Sequence, residues 1–281
     1  MEPSATFMIL ARRFVWQSLL LNKNGVLSWE DVAKKLLSWY EDGYLSSVGY
    51  CFDIDMQVVS CPFFSISRQP IQLKISNFAG NVAREALAVY SNTLQRGAKF
   101  TLAGSSNPLS LGNGSLVCLA PVSVFYYNNP MKALAMSDLQ SKITHTSWMC
   151  IESCGLATAQ LLGLFAGTES SSIEERKKQF LNPLRIFVNQ IKSSSFVIHS
   201  HEAALWALWN SMTFEEGMLL LLPLESDVDT VCACAIYGQL AGALHGIESI
   251  PDKWLNTLQR EDILKKTFDT LVGKALLSST K

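Results

Sequence analysis

ESDVDTVCACAIYGQLAGALHGIESIP, residues 225–251, is the stretch on which the reading of this 281-residue chain turns. From 228 to 245 it is too apolar and too free of proline to be a loop. The pattern predicts a long helix with Asp227 as N-cap, its side chain offered to unpaired backbone N–H groups. Asp229 and Thr230 then fall in the first turn, and three clustered oxygen donors suit a hard cation such as Mg²⁺. A capping aspartate beside a solvated neighbour accounts for the same residues, and a D-x-D-T motif alone leaves both readings open.

The rest of this segment is unusually small-sided. Gly238, Gly242 and Gly246 recur at every fourth position, with Ala235 and Ala241 beside them. Each glycine costs about 1 kcal/mol of helix propensity relative to alanine, so the stripe predicts something packed close against the backbone. A membrane-dimer motif is the competing reading. Asp227, Asp229, Gln239 and His245 interrupt the apolar run below the roughly 20 residues a span needs, which favours a core helix.

Composition sets the bounds. The chain is 48% hydrophobic and 17% charged with a formal net charge of −1, enough to bury a sizeable core in one large domain spanning residues 1–281. Near-neutral charge without a long Lys/Arg block argues against phosphate neutralisation, so no nucleic-acid partner is expected. The seven cysteines, at 51, 61, 118, 150, 154, 232 and 234, have no paired C-x-x-C spacing. Buried, reduced thiols of a cytoplasmic protein, with a nuclear setting left open, are the expectation. Residues 1–14 lack a signal-peptide layout, and no segment reads as a transmembrane span.

Taken in order, residues 6–21 carry a helical apolar stripe. Ser28 opens S-W-E-D, a capping-box-like start for a helix to about Tyr40, ended by Asp42-Gly43. Residues 55–79 show no helical period and two prolines; they predict a hairpin around 67–70, a long loop or translated non-coding sequence. Residues 81–95 read as a helix and 103–114 as a loop. Gly112-Asn113-Gly114-Ser115 leads into the apolar run 116–125, broken by Pro121, and offers a candidate backbone cradle for an anion; an ordinary loop before a helix is the alternative. Helices are predicted over 131–140, 147–167, 173–191 with an interruption at Pro183, 202–209 and 214–222, the last started by a capping box of Thr213 and Glu216. His199, His201 and Glu202 are read as straddling a helix start, which argues against a shared metal.

At this point the residues carry a resemblance. DVDT at 227–230 followed by IYGQLAGALHGIESIPDKWL at 236–255 resembles the C-terminal signature of the ADP-ribosylglycohydrolase family. VIHSHEAALWALWNSMTFEEGMLLLLPLESDVDT at 197–230 extends the match upstream. The resemblance implies an all-α, multi-helix domain in which D-x-D-T opens a core helix and supplies half of a two-Mg²⁺ site. It also implies that Gly112, Asn113, Gly114 and Ser115 line an ADP-ribose pocket, with His145 of the Thr144-His145 pair as a substrate contact. No catalytic acid or base is assigned.

Departures matter as much. Where the family has T-D-D-T, this chain reads Pro3, Ser4, Ala5 and Thr6, so the second pair of carboxylates is missing, and the helix carrying G-D-x-x-G is expected to precede Met1. CFDI at 51–54 and GNVAREAL at 80–87 resemble two halves of one family segment split by 55–79. Glu225-Ser226 stands where a pair of small residues is usual. The expected activity is Mg²⁺-dependent hydrolysis of the bond linking ADP-ribose to a protein side chain or small conjugate, impaired here. A silent ADP-ribose-binding or structural relative is the alternative.

Overall fold

The computed structural model describes residues 28–44, 81–99, 101–104, 110–167, 172–181, 191–192, 194–224, 227–258 and 261–278. The helix read over 6–21, positions 3–6 and the segment 55–79 lie outside them. Within the described residues the chain is all α. Ser28 caps α1 (Trp29–Asp42), its side chain accepting from Asp31 N–H at 3.4 Å. Gly43 at φ 67° closes that helix, its N–H donating to Trp39 O, as the Asp-Gly pair predicts. α2 (Asn81–Gln95) packs on α1.

Pro121 splits the apolar run after the loop into α3 (Gly114–Val117) and α4 (Ala120–Phe125). It stands in the first turn of α4, where a missing N–H is tolerated. α5 (Pro130–Lys142) starts on Asn129, whose side chain accepts from Lys132 N–H at 3.1 Å. There follow α6 (Trp148–Ala166), α7 (Ile173–Leu181), α8 (Val197–Trp209), α9 (Phe214–Leu221), α10 (Asp227–His245), α11 (Asp252–Leu255) and α12 (Glu261–Ser278). α12 docks on α4 through Leu271 and Val122.

The segment quoted first is the structural centre. α10 packs against α6, α8 and α9, and every residue from Val231 to Tyr237 is buried, as expected of a helix apolar on all sides. Three expectations are corrected here. Asp227 is the first helical residue rather than the cap, a one-residue difference at a helix end. The glycine stripe does not mark a close approach at Gly242 or Gly246. A Cβ at Gly242 would meet nothing within 4 Å. Gly246 lies past the helix at φ 79°, its N–H donating to Gly242 O, so it serves as a terminator. α8 begins at Val197, so His199, His201 and Glu202 all lie inside the helix rather than across its start.

α6 is also more apolar than expected. It is long and apolar enough to cross a membrane. Half of it is buried inside the fold, including Cys150, Cys154, Ala157 and Leu161, so core packing accounts for its composition. Cys118, Cys150, Cys154, Cys232 and Cys234 are all buried thiols outside any disulfide.

Short α7 acts as a clasp. Arg176 donates from both terminal guanidinium nitrogens to carbonyls at two helix ends, Leu164 O of α6 at 2.6 Å and Leu244 O and Ala243 O of α10 at 2.6 and 3.1 Å. These are carbonyls a helix C-terminus leaves unpaired. The next residue, Lys177, is buried and donates its Nζ to Ser211 O in the α8–α9 turn, and burial pushes its amine below the ordinary lysine range.

The α9 start behaves as the capping box predicts. Thr213 Oγ1 accepts from Glu216 N–H at 3.1 Å, and Glu216 Oε2 accepts from Met212 N–H at 2.7 Å. Thr213→Ala leaves the Glu216 N–H without its partner and is expected to lower stability by about 1 kcal/mol. Urea unfolding against the wild type measures it, and Thr213→Ser restores most of the loss.

Candidate functional site

The G-N-G turn is tied down by backbone pairing across the fold. Gly112 bridges Phe196 in antiparallel fashion, with Asn113 N–H donating to Ser195 O at 3.0 Å and Val197 N–H to Leu111 O at 2.9 Å. Asn113 Nδ2 donates to Ser200 Oγ at 2.7 Å, and Ser200 Oγ donates to Ser194 O at 2.6 Å. One backbone donor of the expected anion cradle, that of Asn113, is thus engaged within the protein.

Behind the turn lies a buried polar layer. Ser115 is fully buried, and its Oγ lies 3.0 Å from Ser141 Oγ and accepts from the Cys154 thiol at 3.6 Å. Gln140 Nε2 donates to Ser115 O at 3.2 Å, and the Cys150 thiol donates to Gly112 O at 3.3 Å. Burial pushes the Cys150 thiol up to about 12, and burial likewise raises Cys154 to about 11. Both stay protonated donors at neutral pH rather than nucleophiles.

His145 meets this turn directly. A Cβ at Gly114 would lie 3.0 Å from His145 Cε1 and 3.3 Å from Nε2, so the absence of a side chain at 114 is what lets the imidazole pack on the turn. The ring is 2% exposed, with Nδ1 2.7 Å from Thr144 Oγ1. Its backbone is held from two sides: His145 N–H donates to Ser141 O at 2.7 Å, and Ser141 Oγ donates to His145 O at 3.0 Å. Tyr90 adds a strut, its hydroxyl donating to Ile143 O at 2.9 Å and accepting from Ala103 N–H at 3.0 Å. Gly104 lets the loop close, since a Cβ there would come within 2.7 Å of Lys142 O and Thr146 Cγ2. Gly114 and His145, 31 residues apart in sequence, therefore touch.

The D-x-D-T residues open α10. Thr230 is buried at 4% exposure in the first turn; the side chains of Asp227 and Asp229 lie outside the described set. α10 reaches the G-N-G element through Gln239, which the sequence reading noted only as an interruption of an apolar run. Its Oε1 accepts from Ala120 N–H at 2.7 Å, and its Nε2 is shared between Val117 O at 3.0 Å and Leu116 O at 3.2 Å. The signal was available, because a lone amide in a buried helix must find partners.

The histidines of α8 are spoken for. His199 Nδ1 lies 2.8 Å from Ser194 Oγ, and His201 Nε2 lies 3.0 Å from Gln160 Oε1. Among the described residues no three His, Cys, Asp or Glu side chains gather as a metal-binding group.

A solved ADP-ribosylglycohydrolase-related protein complex matches 100% of this chain and 82% of its own with a TM-score of 0.61 at 24% identity, which places the chain in that all-helical fold class. A sequence profile of ADP-ribosylglycohydrolases matches residues 11–280, and the chain belongs to the ADP-ribosylglycohydrolase family. It is 30% identical over 261 residues to the ADP-ribosylarginine hydrolase Tri1 of Pseudomonas putida, covering 89% of this chain and 62% of that protein. It is 32% identical over 253 residues to the Tri1 of Serratia proteamaculans, 85% of this chain and 59% of that one. An ADP-ribosyl-[dinitrogen reductase] glycohydrolase of Rhodospirillum rubrum is 24% identical over 169 residues, 58% of this chain and 57% of that protein. The chain therefore spans about three fifths of the length of these curated relatives.

Proposed function

We propose that this chain acts on ADP-ribosylated protein, binding ADP-ribose at Gly112, Asn113, Gly114, Ser115 and His145 and hydrolysing its bond to an arginine side chain with Mg²⁺ at Asp227, Asp229 and Thr230. Family membership supports the reaction class, and the relatives named for ADP-ribosylarginine favour that linkage. The observation that carries the reading is the packing of His145 on the side-chain-free Gly114 turn, with Gln239 tying that turn's helix to the helix that begins with the acids.

The donor set fits the ion. Two carboxylates and a hydroxyl within one helical turn are hard oxygen ligands, and their negative charge offsets the positive end of the helix. Such an ion, when bound, supplies orientation of the ribose hydroxyls and polarisation at the anomeric carbon, where the transition state is oxocarbenium-like. The chain's own residues do the rest. Gly114 admits the imidazole of His145 against the turn, and Ser141 fixes His145 through both its N–H and its carbonyl. Pro3, Ser4 and Ala5 offer no carboxylate where the family has two, so ion affinity and turnover are expected to be low.

Calorimetry with ADP-ribose, with and without Mg²⁺, followed by a release assay on arginine-ADP-ribosylated protein, tests the reading. Expected are ADP-ribose binding strengthened by Mg²⁺ and slow release, with Asp227→Ala or Asp229→Ala lowering release at least about tenfold, roughly 1.4 kcal/mol. Binding without release supports the silent-binder reading that Pro3, Ser4 and Ala5 favour. No binding at all overturns both.

A further inference from the structure

We propose that Gln239 is a positioning residue that sets the register between the acid-bearing helix and the G-N-G turn; this rests on the site assignment above. α3 and α4 are separated by a break at Cys118 and Leu119. A break between helices leaves carbonyls unpaired on one side and N–H groups on the other. Gln239 fills both needs at once with a single planar amide. Its oxygen accepts from Ala120 N–H at the start of α4, and its nitrogen faces Leu116 O and Val117 O at the end of α3.

The amide is 8% exposed, and its nitrogen also lies 3.4 Å from Ala235 O on its own helix. An amide is the one uncharged side-chain group of this length that donates and accepts at fixed separation. The bonds define an axial position of α10 against α3, because sliding by one residue would carry the amide about 1.5 Å out of register. Asp229 stands ten residues earlier on the same helix, roughly 15 Å along its axis. The turn at Gly112–Ser115 leads directly into α3. Fixing α10 against the α3–α4 break therefore fixes where the helix tip stands relative to that turn.

Gln239→Glu keeps shape but cannot donate, setting a carboxylate against two carbonyls; Gln239→Met keeps length and removes both functions. Two readouts are taken on each: amide exchange at Ala120, and the Kd of ADP-ribose with Mg²⁺ present. Expected for at least one variant that retains its helical circular dichroism are tenfold faster exchange at Ala120 and a tenfold higher Kd. Faster exchange with Kd unchanged within twofold overturns the positioning role, leaving a purely structural clamp. Unchanged exchange in both variants overturns the bonding itself. Should the wild type bind no ADP-ribose, the site assignment fails, and unchanged or faster exchange at Ala120 still judges whether the amide holds the break. If neither variant folds, Gln239→Asn, which shortens the reach while keeping both functions, replaces them, and normal ADP-ribose affinity in it overturns the proposal.

Discussion

Gly217→Ala is expected to destabilise this protein by about 2–3 kcal/mol, more than loss of any single cap. Gly217 lies inside α9, buried where Tyr237 of α10 crosses it. A Cβ there would come within 2.5 Å of both Ser211 Oγ and Tyr237 Cζ, with the Tyr237 hydroxyl oxygen nearer still. The ring cannot simply withdraw. Tyr237 is fully buried, and its hydroxyl donates to Phe214 O at 3.0 Å with Thr213 O at 3.3 Å. Overpacking of a well-filled core costs about 1–3 kcal/mol, and losing the phenol's hydrogen bond adds about 1 kcal/mol. Urea unfolding gives the difference. Adding Tyr237→Phe should recover part of the loss by removing the nearest atom, and a double variant no more stable than Gly217→Ala would refute this account.

Stability is expected to fall by about 3 kcal/mol between pH 6.5 and pH 4 through His201 alone. The ring is buried at 4% exposure with Gln160 as its hydrogen-bond partner, and burial lowers its pKa from 6.5 to about 4. With Gln160 Oε1 accepting, Nε2 carries the proton and the imidazole is neutral. In the unfolded chain the same ring takes up a proton near pH 6.5, so between 4 and 6.5 the unfolded state binds more protons. Stability therefore rises with pH across that window and levels off above it. A drop from 6.5 to about 4 corresponds to about 3 kcal/mol. Urea unfolding from pH 4.5 to 7.5 for wild type and His201→Gln isolates the effect, since carboxylates contribute equally to both. Parallel curves would show that His201 titrates normally.

Helices were legible wherever a local device fixed them. Ser28 with Asp31, Thr213 with Glu216, and the Asp42-Gly43 stop sit where the pattern put them, because caps are short-range chemistry. The start of α8 was misjudged. Phe196 has no side-chain hydrogen bond to mark the cap, and the pairing of Gly112 with Phe196 that sets the entry joins residues far apart in sequence. The glycine series misled for a related reason. Spacing tells that Gly238, Gly242 and Gly246 share a face, and only packing tells that open space lies over one and a helix end at another. The family signature brought the G-N-G turn, His145 and the D-x-D-T residues to notice. The seating of His145 on the G-N-G turn depends on Ser141, Tyr90 and Gly104, and the tie between α10 and α3 on Gln239, each of which looks ordinary in the linear chain.

Arg176 has a consequence for how the molecule loses structure. Its guanidinium holds the last turns of α6 and α10, two 19-residue helices, together, so unravelling of either from that corner weakens the hold on the other. Fraying at one end removes a bond that also orients the guanidinium toward the other, so the two ends are coupled in their loss of structure.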